Sequence, residues 1–130
     1  MKVLNTFSSF SVSDVAVAKR FYSETLGLEV EDGPMGFLEI EVPGGGHVTA
    51  YSKPDHQPAT FTVLNFIVPS VDEAVDDLNG KGVKMEQYNF GDIKTDARGV
   101  MRDQGPPIAW FKDPAGNVLS VIQNTPGTTD

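Results

Sequence analysis

The sequence predicts an α+β fold built from two tandem βαβββ modules. Two stretches with strand-like alternation, 3–12 and 60–68, are each followed by a helical pattern. Two later stretches, "FLEIEVPGGGHVTAYS" (37–52) and "IAWFKDPAGNVLSVIQ" (108–123), each describe a pair of strands joined by a tight turn. The first pair matches at an offset of 56 residues and the hairpins match at an offset of 71, which indicates an internal repeat.

The first module covers about residues 3–52. Its helix is predicted over 13–27, with Asp14 as the N-cap and Gly27 as the stop. The apolar face of that helix consists of Val15, Ala18, Phe21, Tyr22 and Leu26. Further strands are expected near 28–32, 35–42 and 47–52, and the Pro43 and Gly45 of the last turn match Pro114 and Gly116 in the second module.

The second module covers about residues 60–123 and follows a polar connector, 53–59. Its helix, 70–82, opens with a capping box formed by Ser70 and Glu73. The remaining strands are predicted near 83–88, 107–112 and 117–123. A polar segment, 89–105, accounts for the 15 extra residues of this module and is expected to be a lid or a binding loop. We treat 1–130 as one domain with a frayed tail, 124–130.

Composition narrows the functional classes. The chain has no cysteine, which excludes a disulfide framework, thiolate zinc sites and cysteine nucleophiles. Its formal net charge of −8 argues against binding to nucleic acid or to an anionic membrane, because both require a basic patch. Neither a signal peptide nor an apolar run long enough to span a membrane is evident, so we expect a soluble, cytoplasmic protein.

Two sequence motifs, taken together, indicate a resemblance to a known protein family. "FSVSDVAVAKRFYSETLGLEV" contains V-x-D followed by a helix that ends F-Y-x-x-x-L-G-L, and the late hairpin contains a D-P-x-G-N turn. In this order, across an internal repeat, the motifs resemble the vicinal oxygen chelate superfamily of glyoxalases, bleomycin-resistance proteins and extradiol dioxygenases. The resemblance covers about residues 3–123 and implies that the two modules form a curved mixed sheet around a cleft.

The resemblance also implies four metal-ligand positions, which this chain does not fill. The first ligand of the family is a histidine seven residues before the Asp of V-x-D, where this chain has Phe7. The last is typically a glutamate four residues after the Gly of D-P-x-G-N, where this chain has Ser120. The repeat offsets place the other two at Thr49 and Val63. Aromatic and aliphatic side chains cannot coordinate a metal and neutral hydroxyls are poor ligands, so we expect no metal ion or other cofactor.

Strand alternation predicts which side chains line the cleft. Apolar positions such as Val48 and Leu38 should face the helices, which turns the intervening positions to the cleft. The resulting cleft set is Phe7, Ser9, Phe37, Glu39, His47, Thr49, Tyr51, Val63, Asn65, Trp110, Ser120 and Ile122. A wall of this kind, apolar and aromatic with a few hydroxyls, suits a flat organic ligand. The alternative is that these side chains simply fill the core.

Few other residues are candidates for metal binding, proton transfer or binding of an anion. His47 and Glu39 form a possible partial metal site or acid–base pair, the alternative being a hydrogen-bonded histidine beside a turn. His56 is expected to be a solvated residue of the connector. Arg98 and Arg102 could clamp an anionic ligand from the lid, or else be ordinary solvated charges.

Two functions remain open at this stage. The first is metal-independent binding of a small, partly aromatic organic molecule, as in the bleomycin-resistance proteins. The second is a glyoxalase- or dioxygenase-like enzyme (a lyase, isomerase or oxidoreductase) with a displaced metal site or metal-free acid–base chemistry. The identity of the ligand cannot be read from the residues. Short edge strands also need cover, so we expect a homodimer.

Overall fold

Each half of the chain folds into a four-stranded sheet with a helix packed against it. The computed structural model describes residues 1–44 and 46–125. By its internal contacts the chain divides into two units, Met1–Pro58 and Ala59–Asp130. Gly45 of the predicted turn and residues 126–130 of the predicted tail lie outside the described part.

The first unit contains four strands in the order β1-β4-β3-β2. β1 and β4 are parallel and the other pairs are antiparallel, so the sheet is mixed. The elements are β1 (Ser8–Val12), α1 (Val15–Arg20), a π-helical turn (Phe21–Thr25), β2 (Val30–Asp32), a 3₁₀ turn (Pro34–Gly36), β3 (Leu38–Val42) and β4 (Gly46–Ser52).

The predicted limits of the first helix are confirmed by its caps. The Asp14 carboxylate accepts hydrogen bonds from the backbone N–H groups of Ala16 and Val17, at 2.9 and 3.2 Å. At the other end Gly27 adopts a left-handed conformation with φ of 73°, which glycine enters without strain. Between these caps the helix widens into the π-helical turn.

The second unit repeats this plan with extra strands. Its main sheet has the order β5-β10-β9-β8, and β6 and β7 form a separate hairpin. The elements are β5 (Thr62–Val68), α2 (Val71–Gly80), β6 (Asn89–Phe90), β7 (Ile93–Lys94), β8 (Val100–Met101), β9 (Ile108–Lys112) and β10 (Val118–Gln123).

α2 packs its apolar face on this second sheet. Ser70 is its N-cap, as predicted, and the hydroxyl accepts a hydrogen bond of 3.2 Å from the backbone N–H of Glu73. The buried core of the unit includes the helix and strand residues Val71, Val75, Leu78, Ala109, Phe111, Leu119 and Val121. Within the described residues, the structure contains no helix with the length and apolarity that a membrane crossing requires.

The internal repeat is visible in the strand register. In the first sheet Ser9 and Glu39 lie on either side of Thr49. In the second sheet Asn65 and Trp110 lie on either side of Ser120. These triplets are related by the offsets of 56 and 71 that the sequence predicted.

Two predicted strands differ in the structure. The first strand begins at Ser8 rather than at residue 3; Ser8 pairs with Val48 in parallel register, so the start of β4 at Gly46 leaves residues 3–5 with no β4 residue opposite them. The strand predicted at 83–88 is wrong: its one backbone bond to β9 joins Glu86 N–H to the Trp110 carbonyl at 2.8 Å. The place of the fourth strand is taken by β8, whose Val100 and Met101 pair with the start of β9.

Candidate functional site

In the first unit, the face of the sheet opposite the buried apolar side chains carries polar and aromatic groups. Leu38, Ile40, Val48 and Ala50 are buried, as the alternation predicted. The intervening positions are polar or aromatic, and the register places Glu39 opposite Thr49 and Glu41 opposite His47. The predicted cleft residues of this unit are Phe7, Ser9, Phe37, Glu39, His47, Thr49 and Tyr51. Phe37 and Tyr51 lie with their ring centroids 6.2 Å apart.

Glu39 is the centre of a small polar cluster on this face. The Thr49 hydroxyl donates a hydrogen bond to Oε2 of Glu39 at 3.0 Å, and Nε2 of His47 lies 3.1 Å from the same oxygen. The Phe7 ring stacks on the His47 imidazole, with 5.7 Å between centroids and 15° between planes. Gly33 makes room for the carboxylate, because a Cβ at that position would lie 2.8 Å from Oε1 of Glu39. The structure therefore brings the predicted His47–Glu39 pair into contact.

In the second unit, the corresponding face carries Ser120, Asn65 and Trp110. The Ser120 hydroxyl donates a hydrogen bond of 2.5 Å to the Asn65 side-chain oxygen. Ile122 continues this face between Ile67 and Ile108. Val63 is the extra residue at a β-bulge, since Thr62 pairs with Val118 and Leu64 with Leu119, so alternation does not fix its direction there.

Three aromatic rings meet at the edge of this face and are called here the aromatic wall: Tyr88, Phe90 and Trp110. Tyr88 meets Trp110 at a centroid distance of 5.3 Å and an angle of 70°, and meets Phe90 at 6.0 Å and 73°. Both contacts have the edge-to-face geometry that aromatic pairs prefer. Burial, followed by the negative charge of Glu86, raises the pKa of the Tyr88 phenol, so the hydroxyl stays protonated at neutral pH.

The sequence predicted only Trp110 of these three. Tyr88 was assigned to the predicted strand 83–88 and Phe90 to the predicted loop 89–105, and neither was expected to contact Trp110. Thr95 fixes that segment: its hydroxyl accepts a hydrogen bond from the backbone N–H of Tyr88 at 2.9 Å, and its own N–H donates to the Tyr88 carbonyl at 3.0 Å. The available signal was the pair of aromatic residues in "YNF", next to the segment predicted to be a binding loop.

Arg98 and Arg102 lie against α2. The Arg102 guanidinium donates a bidentate pair of hydrogen bonds to the Asp72 carboxylate, at 2.8 and 3.3 Å, and a third hydrogen bond of 3.0 Å to Asp96. Arg98 donates to the Asp76 carboxylate at 2.8 Å and to the Asp72 carbonyl at 3.1 Å. Their contacts are thus made with α2 and with their own segment, and the proposed role as a ligand clamp stays a prediction.

His56 is not the plain solvated residue that its sequence position suggested. It is partly buried, and its Nδ1 lies 2.7 Å from the Ser11 hydroxyl. Ser11 belongs to β1, so this bond ties the connector to the first sheet. Two backbone hydrogen bonds hold His56 near β1. The Lys53 N–H donates to the Val12 carbonyl, and the His56 N–H donates to the Lys53 carbonyl.

The side chains at the four family metal-ligand positions are unsuited to binding a metal ion. Phe7 has no donor atom, and neither has Val63. Thr49 and Ser120 are buried, and their hydroxyl groups donate hydrogen bonds to Glu39 and Asn65. Across residues 1–44 and 46–125 no group of three His, Cys, Asp or Glu side chains is placed to hold a metal ion. Metal independence therefore remains a prediction that rests on the chemistry of these side chains.

Comparisons with known proteins agree on one family. The model of the Glyoxalase/Bleomycin resistance protein/Dioxygenase superfamily matches residues 4–121. No significant match is found among the curated proteins.

Solved structures extend the likeness over more than nine-tenths of the chain. An antibiotic-binding protein, TnmS3 from Streptomyces sp. CB03234, is 26% identical with a TM-score of 0.66, over 96% of this chain and 100% of that one. A superfamily member from Sphaerobacter thermophilus DSM 20745 is 25% identical with a TM-score of 0.67, over 93% and 98%. The fosfomycin resistance protein FosX from Listeria monocytogenes is 17% identical with a TM-score of 0.70, over 97% of both chains, and shows the fold alone.

Proposed function

Because the chain belongs to the Glyoxalase/Bleomycin resistance protein/Dioxygenase superfamily, we propose that it uses this fold to bind a small, partly aromatic organic molecule without a metal ion. The aromatic wall is the observation that carries the proposal. Its outer ring, Phe90, contacts Tyr88 and is 64% exposed, so part of the aromatic surface of the wall is open to solvent. A flat ligand would cover this exposed ring surface and gain stacking and burial together.

The polar groups beside the wall would orient such a ligand. Asn65 is exposed, and its side-chain NH₂ group can donate while its oxygen accepts from Ser120. The protonated Tyr88 hydroxyl adds a second possible donor. A mostly apolar surface with a few directed polar groups is the usual composition of a small-molecule site.

Two further lines support binding rather than metal chemistry. The four family ligand positions carry Phe7, Thr49, Val63 and Ser120, which are unsuited to a catalytic metal. Among the related structures, TnmS3 is described as an antibiotic-binding protein. The lid role of segment 89–105 and a cytoplasmic location belong to the same proposal.

The first prediction concerns Trp110. The purified protein is screened by thermal shift against planar aromatic antibiotics and aromatic metabolites, because a ligand that binds only the native state raises the melting temperature. For each compound that does so, we expect Trp110→Ala to weaken binding by about 1–3 kcal/mol, as loss of an aromatic hot spot does. Titration calorimetry measures this directly, since the variant has lost its only tryptophan.

Phe61→Ala is the matched control. Phe61 is also an exposed aromatic residue, 69% accessible, and is not part of the wall. Its replacement should leave the affinity unchanged. The proposal is wrong if no compound raises the melting temperature, or if Trp110→Ala and Phe61→Ala bind the stabilising compounds as tightly as the wild type does.

A further inference from the structure

The second possible site lies in the first unit and does not depend on the aromatic wall. His47 is held there by two different contacts, the Phe7 ring against its face and the Glu39 carboxylate 3.1 Å from its Nε2. The Thr49 hydroxyl donates a hydrogen bond to Glu39, and the absence of a side chain at Gly33 leaves room for the Glu39 carboxylate. The imidazole is nonetheless 40% exposed, so a small molecule can reach it. A ring that is oriented and also accessible can exchange protons with a ligand.

We propose that His47 is a metal-independent general base, positioned by Glu39, that removes a proton from small, flat carbon acids. A carboxylate beside Nε2 favours the tautomer with hydrogen on that nitrogen, which leaves the lone pair on Nδ1. When Nδ1 accepts a proton the ring becomes a cation, and its Nε2–H group still faces Oε2 of Glu39 at 3.1 Å. Phe7 supplies an apolar surface on which a planar substrate can rest beside the ring, since it is 62% exposed.

The substrate class follows from these groups. The C–H bond must be acidified by the substrate itself, through an adjacent carbonyl group or electron-poor heteroaromatic ring, because the cluster contains no cation to stabilise a carbanion. The other titratable group that faces His47 is Glu41, opposite it in the β3–β4 register. Two carboxylates next to the imidazole disfavour anionic substrates, so we expect neutral ones.

The probe is 5-nitrobenzisoxazole, a neutral, flat carbon acid. The base takes the proton from C3, the C–H electron pair becomes the third bond of a nitrile, and the N–O bond breaks to give 2-cyano-4-nitrophenolate. Atoms and electrons balance without an oxidant or a metal. The protonated His47 then loses its proton to water. The coloured phenolate gives the rate directly.

The wild-type protein should convert the probe with a kcat/KM about 100-fold or more above that of His47→Gln, within the range of about 10²–10⁴ that a positioned general base contributes. His56→Gln removes the other histidine and should leave the rate unchanged. Glu39→Gln should lower kcat with little change in KM, because the carboxylate acts on the protonated ring rather than on the bound substrate. Nitrogen-15 NMR of the two histidines should show Nδ1 of His47 as the unprotonated nitrogen in the wild type.

The proposal fails if His47→Gln retains the wild-type rate while its melting temperature matches the wild type. It also fails if the wild-type rate equals that of free imidazole at the same concentration, or if His56→Gln abolishes the rate. The two proposals fail separately, because the elimination rate is measured on the probe alone and the binding function on the compounds of the thermal-shift screen.

Discussion

Asp113 and Asn117 fix the turn between β9 and β10 and give the D-P-x-G-N motif its structural meaning. The Asp113 carboxylate accepts hydrogen bonds from the backbone N–H groups of Ala115 and Asn117, both at 2.9 Å. The Asn117 side chain donates to Asp113 at 3.2 Å and accepts from the backbone N–H of Ala59 at 3.1 Å. Both side chains are buried. The family signature is therefore a structural element of the second unit, and it carries no information about the ligand.

Asn117→Ala should destabilise the protein by about 1–3 kcal/mol, because it leaves the partly buried Ala59 N–H and one Asp113 oxygen without this partner. Asn89→Ala is the control: Asn89 is exposed in β6, and its change should stay within about 0.5 kcal/mol of the wild type. Urea unfolding monitored by Trp110 fluorescence measures both. Equal midpoints for Asn117→Ala and the wild type would contradict the role assigned to this turn.

The side chains at the four family ligand positions lead to the next prediction. Neither Phe7 nor Val63 has a donor atom, and the hydroxyls of Thr49 and Ser120 already bond to neighbours. We expect purified protein, incubated with excess zinc, nickel, manganese or iron(II) and then dialysed, to retain far less than one equivalent. Elemental analysis by mass spectrometry measures the content. Retention of about one equivalent, lost together with ligand binding on chelation, would overturn metal independence.

At the scale of elements, Arg98 and Arg102, which lie on either side of β8, attach this strand to α2 by ion pairs. The hydrogen bond from Arg102 is the main cause that lowers the pKa of Asp72. For Asp96, burial acts in the opposite direction, but hydrogen bonds from Val100 N–H, the Arg102 guanidinium and Arg98 N–H outweigh it and lower the pKa. A carboxylate whose pKa is lowered on folding stabilises the fold above its ordinary pKa and loses that effect as the pH falls below it.

Arg102→Gln should therefore be less stable than the wild type at pH 7, and the difference should shrink as the pH falls below about 4, the ordinary aspartate pKa. Lys84→Gln removes the same charge from an exposed lysine elsewhere on the second unit and should show no such convergence. Denaturant unfolding at a series of pH values tests both variants. A difference between wild type and Arg102→Gln that stays constant down to pH 2 would contradict the role of these carboxylates.

The elements that the sequence predicted correctly are those whose signals are local. Helix caps at Asp14 and Ser70 depend on a few adjacent residues, and strand alternation identified the faces that carry His47, Glu39 and Trp110. The strand predicted at 83–88 is wrong and the short strands β6, β7 and β8 were not predicted, because the structure of this region depends on a distant contact. Gly99 has φ of 87°, and a Cβ there would lie 2.6 Å from Cβ of Met85, so close packing of two irregular stretches positions β8. The periodicity of a sequence does not reveal a contact between distant residues. The contact of Tyr88 with Trp110 is also of this kind, so the aromatic wall was not predicted.

For the whole molecule, the repeat has kept its backbone plan while its two faces have diverged chemically. Equivalent register positions carry Glu39 in the first unit and Trp110 in the second. The first face accordingly has ionisable groups around His47, and the second has the aromatic wall. Binding and proton transfer are thus proposed for different units, which makes them separable by mutation.

The final prediction concerns assembly. Each four-stranded sheet ends in two edge strands, β1 and β2 in the first unit and β5 and β8 in the second. Edge strands expose unpaired backbone groups and are usually covered by another chain or element. The amino-terminal residues Val3 and Leu4, which precede β1, are also exposed, at 60% and 88%, although both are apolar. A second copy of the chain would cover such surfaces, so we expect a homodimer. Sedimentation equilibrium at micromolar concentration should give twice the 14.0 kDa chain mass. Val3→Ser combined with Leu4→Ser should weaken the dimer, and a stable monomer for the wild type would show that the edges are covered in another way.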